Sequence, residues 1–263
     1  MPAPPTASAT SIDPGEVKKF AAIAADWWNP NGEFRPLHQM TPARVQVIRD
    51  VIARQFSRDV KTASPFSGLA VLDIGCGGGL ACEPLARLGA ATTGIDAAPE
   101  SIAVARAHAL DMDLAITYRA APAEDLVAEG AKFDVVLALE VIEHVPSASQ
   151  FVETAANLVR PGGLFIVSTI NRTLKALALA KLAAEYVLRW APKGAHDYRK
   201  FVRPQELRAA LTASGLEARP PMGLVYDPLK DDWRISLDCD INYVMMMGNR
   251  IGVHGPGQRL LGN

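Results

Sequence analysis

The chain has 263 residues, enough for one large α/β domain with additions or for one domain plus a small one. With 49% hydrophobic and 21% charged residues it suits a well-cored soluble protein, and a net charge of −1 excludes a global basic field for nucleic acid. Cys76, Cys82 and Cys239 form no CxxC or metal-ligand spacing, so an odd set of thiols in a reducing cytoplasm is expected rather than a disulfide framework. No run of 18 apolar residues is present to span a membrane.

Residues 1–11 are rich in Pro, Ala, Ser and Thr, lack basic charge and an apolar core, and read as a disordered tail rather than a signal peptide. A first helix is expected over 13–28, with Asp13 as N-cap, Pro14 at the first helical position and Glu16 in the capping-box position. Residues 27–38, with Trp27, Trp28, Asn29, Pro30, Gly32, Phe34, Pro36 and His38, read as a loop covering a pocket. A second helix over 42–56 carries Val45, Ile48 and Ile52 on one face and Arg44 near its start. Regular alternation follows, with strands at 70–74, 92–95, 116–119, 133–139 and 164–169. Helices are expected over 80–88, 99–110 and 148–159. Continuous apolar strands of this kind are covered on both faces, as in a parallel sheet. A late helix is expected over 204–214 and a final strand over 241–247. The resulting units are a tail (1–11), a helical cap (12–67), a main domain (68–250) and a second tail (251–263).

The chemistry centres on residues 69–79. An apolar strand ends in Asp73, and Gly75, Gly77, Gly78 and Gly79 follow. A glycine-packed turn after a strand lets bare backbone approach a ligand, and a helix from 80 would aim its N-terminus at the same point. The dinucleotide fingerprint needs a third glycine at position 80, where Leu80 stands, so a nicotinamide-dependent oxidoreductase is disfavoured. Asp96 closes the second strand, where an acid can accept hydrogen bonds from two ribose hydroxyls. The pattern resembles the class I S-adenosylmethionine-dependent methyltransferases. The resemblance implies a Rossmann-like α/β fold with a mostly parallel seven-stranded sheet and helices on both faces. Here that fold would carry an N-terminal helical cap and a helical insertion after strand 5.

That insertion, residues 171–201, has Arg172, Lys175, Lys181, Arg189 and Lys193 against Glu185. Leu174, Leu177, Leu182, Val187, Leu188 and Trp190 form its apolar side. It reads either as a basic amphipathic helix lying in a membrane interface or as a lid with solvated lysines; a lid touching membrane satisfies both.

Four stretches narrow the resemblance. They are Trp27-Trp28 with residues 32–38, Glu140-Val141-Ile142-Glu143-His144-Val145, Arg160-Pro161-Gly162-Gly163, and residues 192–197 ending His196-Asp197. In this order they are similar to the ubiquinone-biosynthesis O-methyltransferases, over about residues 12–250. The resemblance implies methylation of catechol-type hydroxyls at two steps of ubiquinone synthesis. It places S-adenosylmethionine contacts at Arg44, Gly75, Asp96 and Leu139, beside Asp73 and Gly77 of the loop. The implied partners are a polyprenyl phenol or catechol, anionic lipid on the inner face of the membrane, and other enzymes of the pathway, with no nucleic acid.

A phenol of pKa about 10 is mostly protonated at pH 7, so a general base or a metal is useful. Glu143 and His144 are the catalytic candidates, and His38 and His196 are weaker ones. One helical turn would put Glu140, Glu143 and His144 on one face, where they could hold Mg²⁺. Eukaryotic relatives are thought to need a divalent metal. Two readings compete: a methyltransferase for another small acceptor, and a non-catalytic cofactor-binding scaffold.

Overall fold

The computed structural model describes residues 10–178, 198–227, 229–230 and 232–249. The expected tails at 1–11 and 251–263 lie outside these, apart from Thr10 and Ser11. So do most of the insertion, including Lys181, Glu185, Arg189, Trp190 and Lys193, and the stretch 192–197 with His196.

The first helix is split. Helix α1 (Pro14–Ala22) ends at Ile23, and a short 3-10 turn (Ala24–Asp26) leads to the two tryptophans. Helix α2 (Arg35–Gln55) starts seven residues before the position expected from Pro42, which sits inside it. Proline inside a helix removes one backbone hydrogen bond. Met40 and the partly buried Leu37, on the turn before it, pack on the sheet-facing core and offset that loss.

The alternating segment follows the sequence reading closely. It comprises β1 (Ala70–Ile74), α3 (Cys82–Arg87), β2 (Ala91–Asp96), α4 (Pro99–Asp111), β3 (Thr117–Ala120), α5 (Ala123–Ala128), β4 (Phe133–Leu139), α6 (Ala148–Ala156) and β5 (Val159–Ile170). Then come α7 (Leu174–Ala178), a 3-10 turn (Tyr198–Lys200), α8 (Pro204–Ala213), β6 (Leu216–Ala218), β7 (Met222–Asp227), β8 (Asp232–Ser236) and β9 (Asn242–Asn249).

The sheet order is β3-β2-β1-β4-β5-β9-β7-β8, with β6 also paired to β9. Strands β1 to β5 are parallel; β9 runs antiparallel to β5 and to β6 and β7. The sheet therefore has nine strands where seven were expected. Two causes account for the difference. One edge of β9 is shared by β6 and β7, which Pro220 and Pro221 separate, since neither proline has an N–H for the ladder. Strand β8 adds a hairpin outside β7.

Alternation sets which face each side chain joins. Leu72, Val136, Ala138, Phe165, Val167, Tyr243 and Met245 face α5, α6 and α8. Val71, Val135, Leu137, Leu164, Ile166 and Val244 face α2, where Val47, Ile48, Val51 and Ile52 are buried. Each fully buried aliphatic side chain contributes roughly 1.5–3 kcal/mol, so both layers are held mainly by this sandwich. The carboxyl ends of β1, β2, β4 and β5 are left side by side at one rim.

Candidate active site

At that rim β1 delivers the glycine loop. The backbone N–H groups of Gly75 and Cys76 both donate to the Ile95 carbonyl, at 2.8 and 2.9 Å. Gly75 (φ +70°) and Gly77 (φ +52°) adopt left-handed conformations that favour glycine. A Cβ on Gly75 would fall 2.5 Å from Val141 Cγ2, and one on Gly77 2.2 Å from Trp27 Cζ2. Helix α3 begins at Cys82 and has six residues, two positions later than expected. The loop backbone, rather than a long helix N-terminus, therefore forms the cradle.

Asp96 fastens the loop to the end of β2. Its Oδ2 accepts from the Gly77 N–H at 3.0 Å and its Oδ1 from the Ala98 N–H at 2.8 Å. Each oxygen keeps a lone pair for a ribose hydroxyl. Burial raises its pKa, and the two backbone donors work against that rise. Asp73 is more deeply enclosed; burial pushes its carboxyl up to about 7, with Cys82 Sγ as a donor at 3.4 Å.

The tryptophan segment closes over the glycines. Trp28 Nε1 donates to the Gly78 carbonyl at 2.9 Å, and its ring stacks on His108 at 3.5 Å. Trp27 stacks on Phe34 and donates to Ser101 Oγ at 3.1 Å. The expected pocket cover is thus seated on the loop. His38, which begins as a base candidate, instead bonds through Nε2 to the Trp27 carbonyl at 2.8 Å.

Arg44 projects from the middle of α2, not from near its start, and is buried. Its Nη1 lies 4.0 Å from Glu140 Oε1, while Nε and Nη2 are enclosed without a hydrogen-bond partner among the described residues. Burial lowers its pKa, and Glu140, Asp73 and Glu143 oppose the shift. A buried guanidinium with two unused donors has the fork geometry that suits a carboxylate. The amino-acid end of S-adenosylmethionine carries one, so Arg44, the glycine backbone and Asp96 together fit that cofactor. Leu139, at the end of β4, belongs to the core beside α2.

The segment after β4 departs from expectation. Residues 140–144 form a turn, and Glu140 sits in a left-handed conformation (φ +56°), uncommon for a residue with a side chain. Glu140 Oε1 accepts from Ser168 Oγ at 2.7 Å. Glu143 Oε2 accepts from Thr169 Oγ1 at 2.7 Å. Successive residues on a strand point to opposite faces, so Ser168 and Thr169 draw the two carboxylates apart. His144 turns to a third partner, with Nδ1 3.0 Å from Glu16 Oε2. The metal set expected at Glu140, Glu143 and His144 is therefore not assembled. Among the described residues no three His, Cys, Asp or Glu side chains converge on a metal-sized point.

Glu143 is buried; that burial and the charge of Glu140 push its carboxyl up to about 8. Burial lowers the His144 pKa, against the charges of Glu16 and Glu140, and Lys200 adds to the lowering. Glu16 is the residue that the sequence reading placed in another role. Asp13 caps α1 by accepting from Gly15 and Glu16 N–H, while the Glu16 carboxylate reaches His144, Lys200 and Lys19. No local pattern links positions 16 and 144.

Fold and site together define a class I S-adenosylmethionine-dependent methyltransferase. A family profile described as a methyltransferase domain matches residues 40–220. Two solved structures share the fold. Magnesium protoporphyrin IX methyltransferase from Synechocystis PCC 6803, with bound SAH, has a TM-score of 0.57 at 20% identity, over 88% of this chain and 100% of that one. A possible histamine N-methyltransferase from Thermotoga maritima has a TM-score of 0.60 at 15% identity, over 90% and 99%. Sequence relatives are much nearer. The ubiquinone biosynthesis O-methyltransferase of Chelativorans sp. (strain BNC1) is 54% identical over 242 residues, 92% of this chain and 96% of that protein. That of Caulobacter sp. (strain K31) is 54% identical over 91% and 96%. The chain belongs to the ubiquinone-biosynthesis O-methyltransferase family.

Two outcomes follow from these charges. Replacing Arg44 with Met removes a charge-assisted pair of about 1.5–3 kcal/mol, so S-adenosylmethionine affinity should fall roughly 10- to 150-fold by calorimetry. The apo protein should not melt lower, because the lost group is a poorly compensated buried charge, with the Glu140 carboxylate 4.0 Å away. An unchanged affinity would remove Arg44 from the cofactor site.

The second concerns pH. Glu143 is protonated in the folded apo protein up to about pH 8 but ionises near 4.5 when unfolded. Its contribution to stability is present below pH 4.5 and is lost as pH rises toward 8. In urea unfolding from pH 5 to 8, the wild type should lose stability relative to Glu143→Gln. Parallel curves would contradict the protonated, buried carboxyl.

Proposed function

We propose that this protein transfers a methyl group from S-adenosylmethionine to a phenolic hydroxyl of polyprenylated phenols and catechols, at both O-methylation steps of ubiquinone biosynthesis. The observation that carries the reading is Arg44, a buried guanidinium with two nitrogens lacking a partner among the described residues, in a chain of this family. A site that never held a carboxylate would gain nothing from a buried guanidinium whose Nε and Nη2 have no partner among the described residues.

Bound S-adenosylmethionine supplies an electrophilic methyl group. The chain's own residues do the rest. Arg44 and Asp96 hold the two ends of the cofactor, and the glycine loop sets its depth. Trp27 and Trp28 keep water from the loop, which preserves alignment for in-line attack by the phenol oxygen. His144 is proposed as the general base. Its Nδ1 is engaged by Glu16, and no hydrogen bond among the described residues engages Nε2. Glu143, also expected as catalytic, is buried against Thr169, and is proposed to shape the turn rather than to touch substrate.

The acceptor's long isoprenoid tail favours a protein that works at the inner face of the membrane. None of the described helices is long and apolar enough to cross one. We place a peripheral, salt-sensitive contact with anionic lipid in the insertion between β5 and α8. Lys175 is not a free contributor, since it is paired with Asp238 at 3.0 Å and Asp240 at 3.2 Å. The contact therefore rests on Lys181, Arg189 and Lys193.

Two experiments test these points. Labelled methyl transfer to a short-chain polyprenyl catechol should proceed, and should survive EDTA, because Glu140, Glu143 and His144 are not gathered around an ion. Turnover that stops with EDTA and returns with Mg²⁺ would restore the metal, and cofactor binding with no turnover would point to another acceptor. Replacing Lys181 and Arg189 with Glu should reduce sedimentation with phosphatidylglycerol vesicles at low salt; unchanged sedimentation would move the contact elsewhere.

A further inference from the structure

We propose that Trp28 is a positioning residue for S-adenosylmethionine. It holds the Gly78–Gly79 peptide of the glycine loop from outside, and the Glu83–His108 pair gives its ring a fixed seat. The inference rests on the reading of that loop as the cofactor cradle and deepens it.

The loop is tied at several points. The Gly77 N–H donates to Asp96 Oδ2 at 3.0 Å, and the Gly79 N–H donates to the Cys76 carbonyl at 2.9 Å. The other end of the Gly78–Gly79 peptide, the Gly78 carbonyl, accepts from Trp28 Nε1 at 2.9 Å. Both ends of one planar peptide are thereby fixed, so the plane is held against rotation. The second tie comes from 50 residues earlier in the chain. That earlier segment lies directly on the loop, since a Cβ on Gly78 would fall 2.5 Å from Trp27 Cβ.

Trp28 can hold the carbonyl in one direction only if its own ring is held. The ring stacks on His108 with centroids 3.5 Å apart and an interplanar angle of 3°. His108 lies on α4, and its Nδ1 is 2.5 Å from Oε1 of Glu83 on α3. Glu83 is buried, and its other oxygen accepts from Arg87 at 3.0 Å. A carboxylate paired with arginine only accepts, so the proton between it and His108 is on Nδ1. That bond fixes the plane of the imidazole, and the stacked imidazole fixes the plane of the indole. Helix α3 follows the glycine loop and α4 follows Asp96, so the seat is built from the two helices that leave the two parts of the cradle. A fixed peptide plane raises the fraction of apo protein whose loop is ready for cofactor, and apparent affinity scales with that fraction.

A competing explanation is that Glu83, Arg87 and His108 only tie α3 to α4, with Trp28 as a cover. Calorimetry of S-adenosylmethionine binding to the full chain separates the two. Trp28→Phe keeps a ring over His108 and removes the N–H. Affinity should fall roughly 2- to 10-fold, the worth of one neutral hydrogen bond. His108→Ala should weaken binding by a similar factor. His108→Phe, which restores a flat ring without the bond to Glu83, should fall between His108→Ala and the wild type. In a Trp28→Phe background, adding His108→Ala should change affinity little further, because the seat acts through the indole N–H.

The indole ¹⁵N–¹H signal of Trp28, identified by its loss in Trp28→Phe, gives a readout that needs no cofactor. It should be protected from solvent exchange in the wild type and lose most of that protection in His108→Ala. Unchanged affinity in Trp28→Phe, an equal His108→Ala loss in both backgrounds, or unchanged protection of the indole would each overturn the proposal. Failure of the wild type to bind S-adenosylmethionine would instead count against the reading of the loop as the cofactor cradle.

Discussion

A guanidinium held inside a protein at some distance from its nearest counter-charge is the constraint to which this site is built. Arg44 is buried on the sheet-facing side of α2, with Glu140 at 4.0 Å and two N–H-bearing nitrogens unused. Leaving a charge so poorly compensated costs several kcal/mol, and the fold bears that cost through the aliphatic layer around it. Ile48 and Ile52, one and two turns along the same helix, are fully buried against β4 and β5. The hydrophobic face of α2 thus holds in place a cation that would otherwise turn to water. The same burial acts on the acids nearby. Asp73 and Glu143 rise toward neutrality, so the pocket does not fill with negative charge that would repel an incoming carboxylate.

The segment before β1 ties the two halves of the site together. At the cofactor half, Trp28 bonds to the Gly78 carbonyl and stacks on His108, which in turn bonds to the buried Glu83 at 2.5 Å. On the other side, α1 reaches the turn after β4 through Glu16 and Phe20. Individually these are contacts of about a kilocalorie or less. They act on one short stretch of chain, so displacing α1 or the tryptophans disturbs both halves.

Much of the parallel half was legible because its signals are local. Apolar runs of four to seven residues, glycines after Asp73 and an acid after β2 each report their own conformation. The elements that sequence reading misplaced depend on partners far along the chain. Pro42 signals a helix start locally, but burial of Met40 and Leu37 extends α2 back to Arg35. Glu16 sits at a capping position and has the right chemistry for it, yet Asp13 alone caps α1 and the carboxylate goes to His144. The broken edge formed by β6 and β7 was written in Pro220-Pro221, but its meaning required knowing that β9 lay alongside.

The turn after β4 shows most clearly why spacing is not geometry. Positions 140, 143 and 144 would share a helical face, and three such side chains could chelate an ion. The left-handed backbone at Glu140 ends that possibility, because the chain leaves β4 in a turn. Strand β5 then divides the two acids. Ser168 continues the face of Leu164 and Ile166, toward α2 and Arg44, and takes Glu140 with it. Thr169 continues the face of Phe165 and Val167 and takes Glu143. One acid is thereby assigned to balancing the buried guanidinium and the other to supporting the turn from below. His144, at the end of that turn, is left to the carboxylate that α1 brings to it. The two hydroxyls of β5 thus hold the two acids on opposite faces, and His144 bonds through Nδ1 to Glu16.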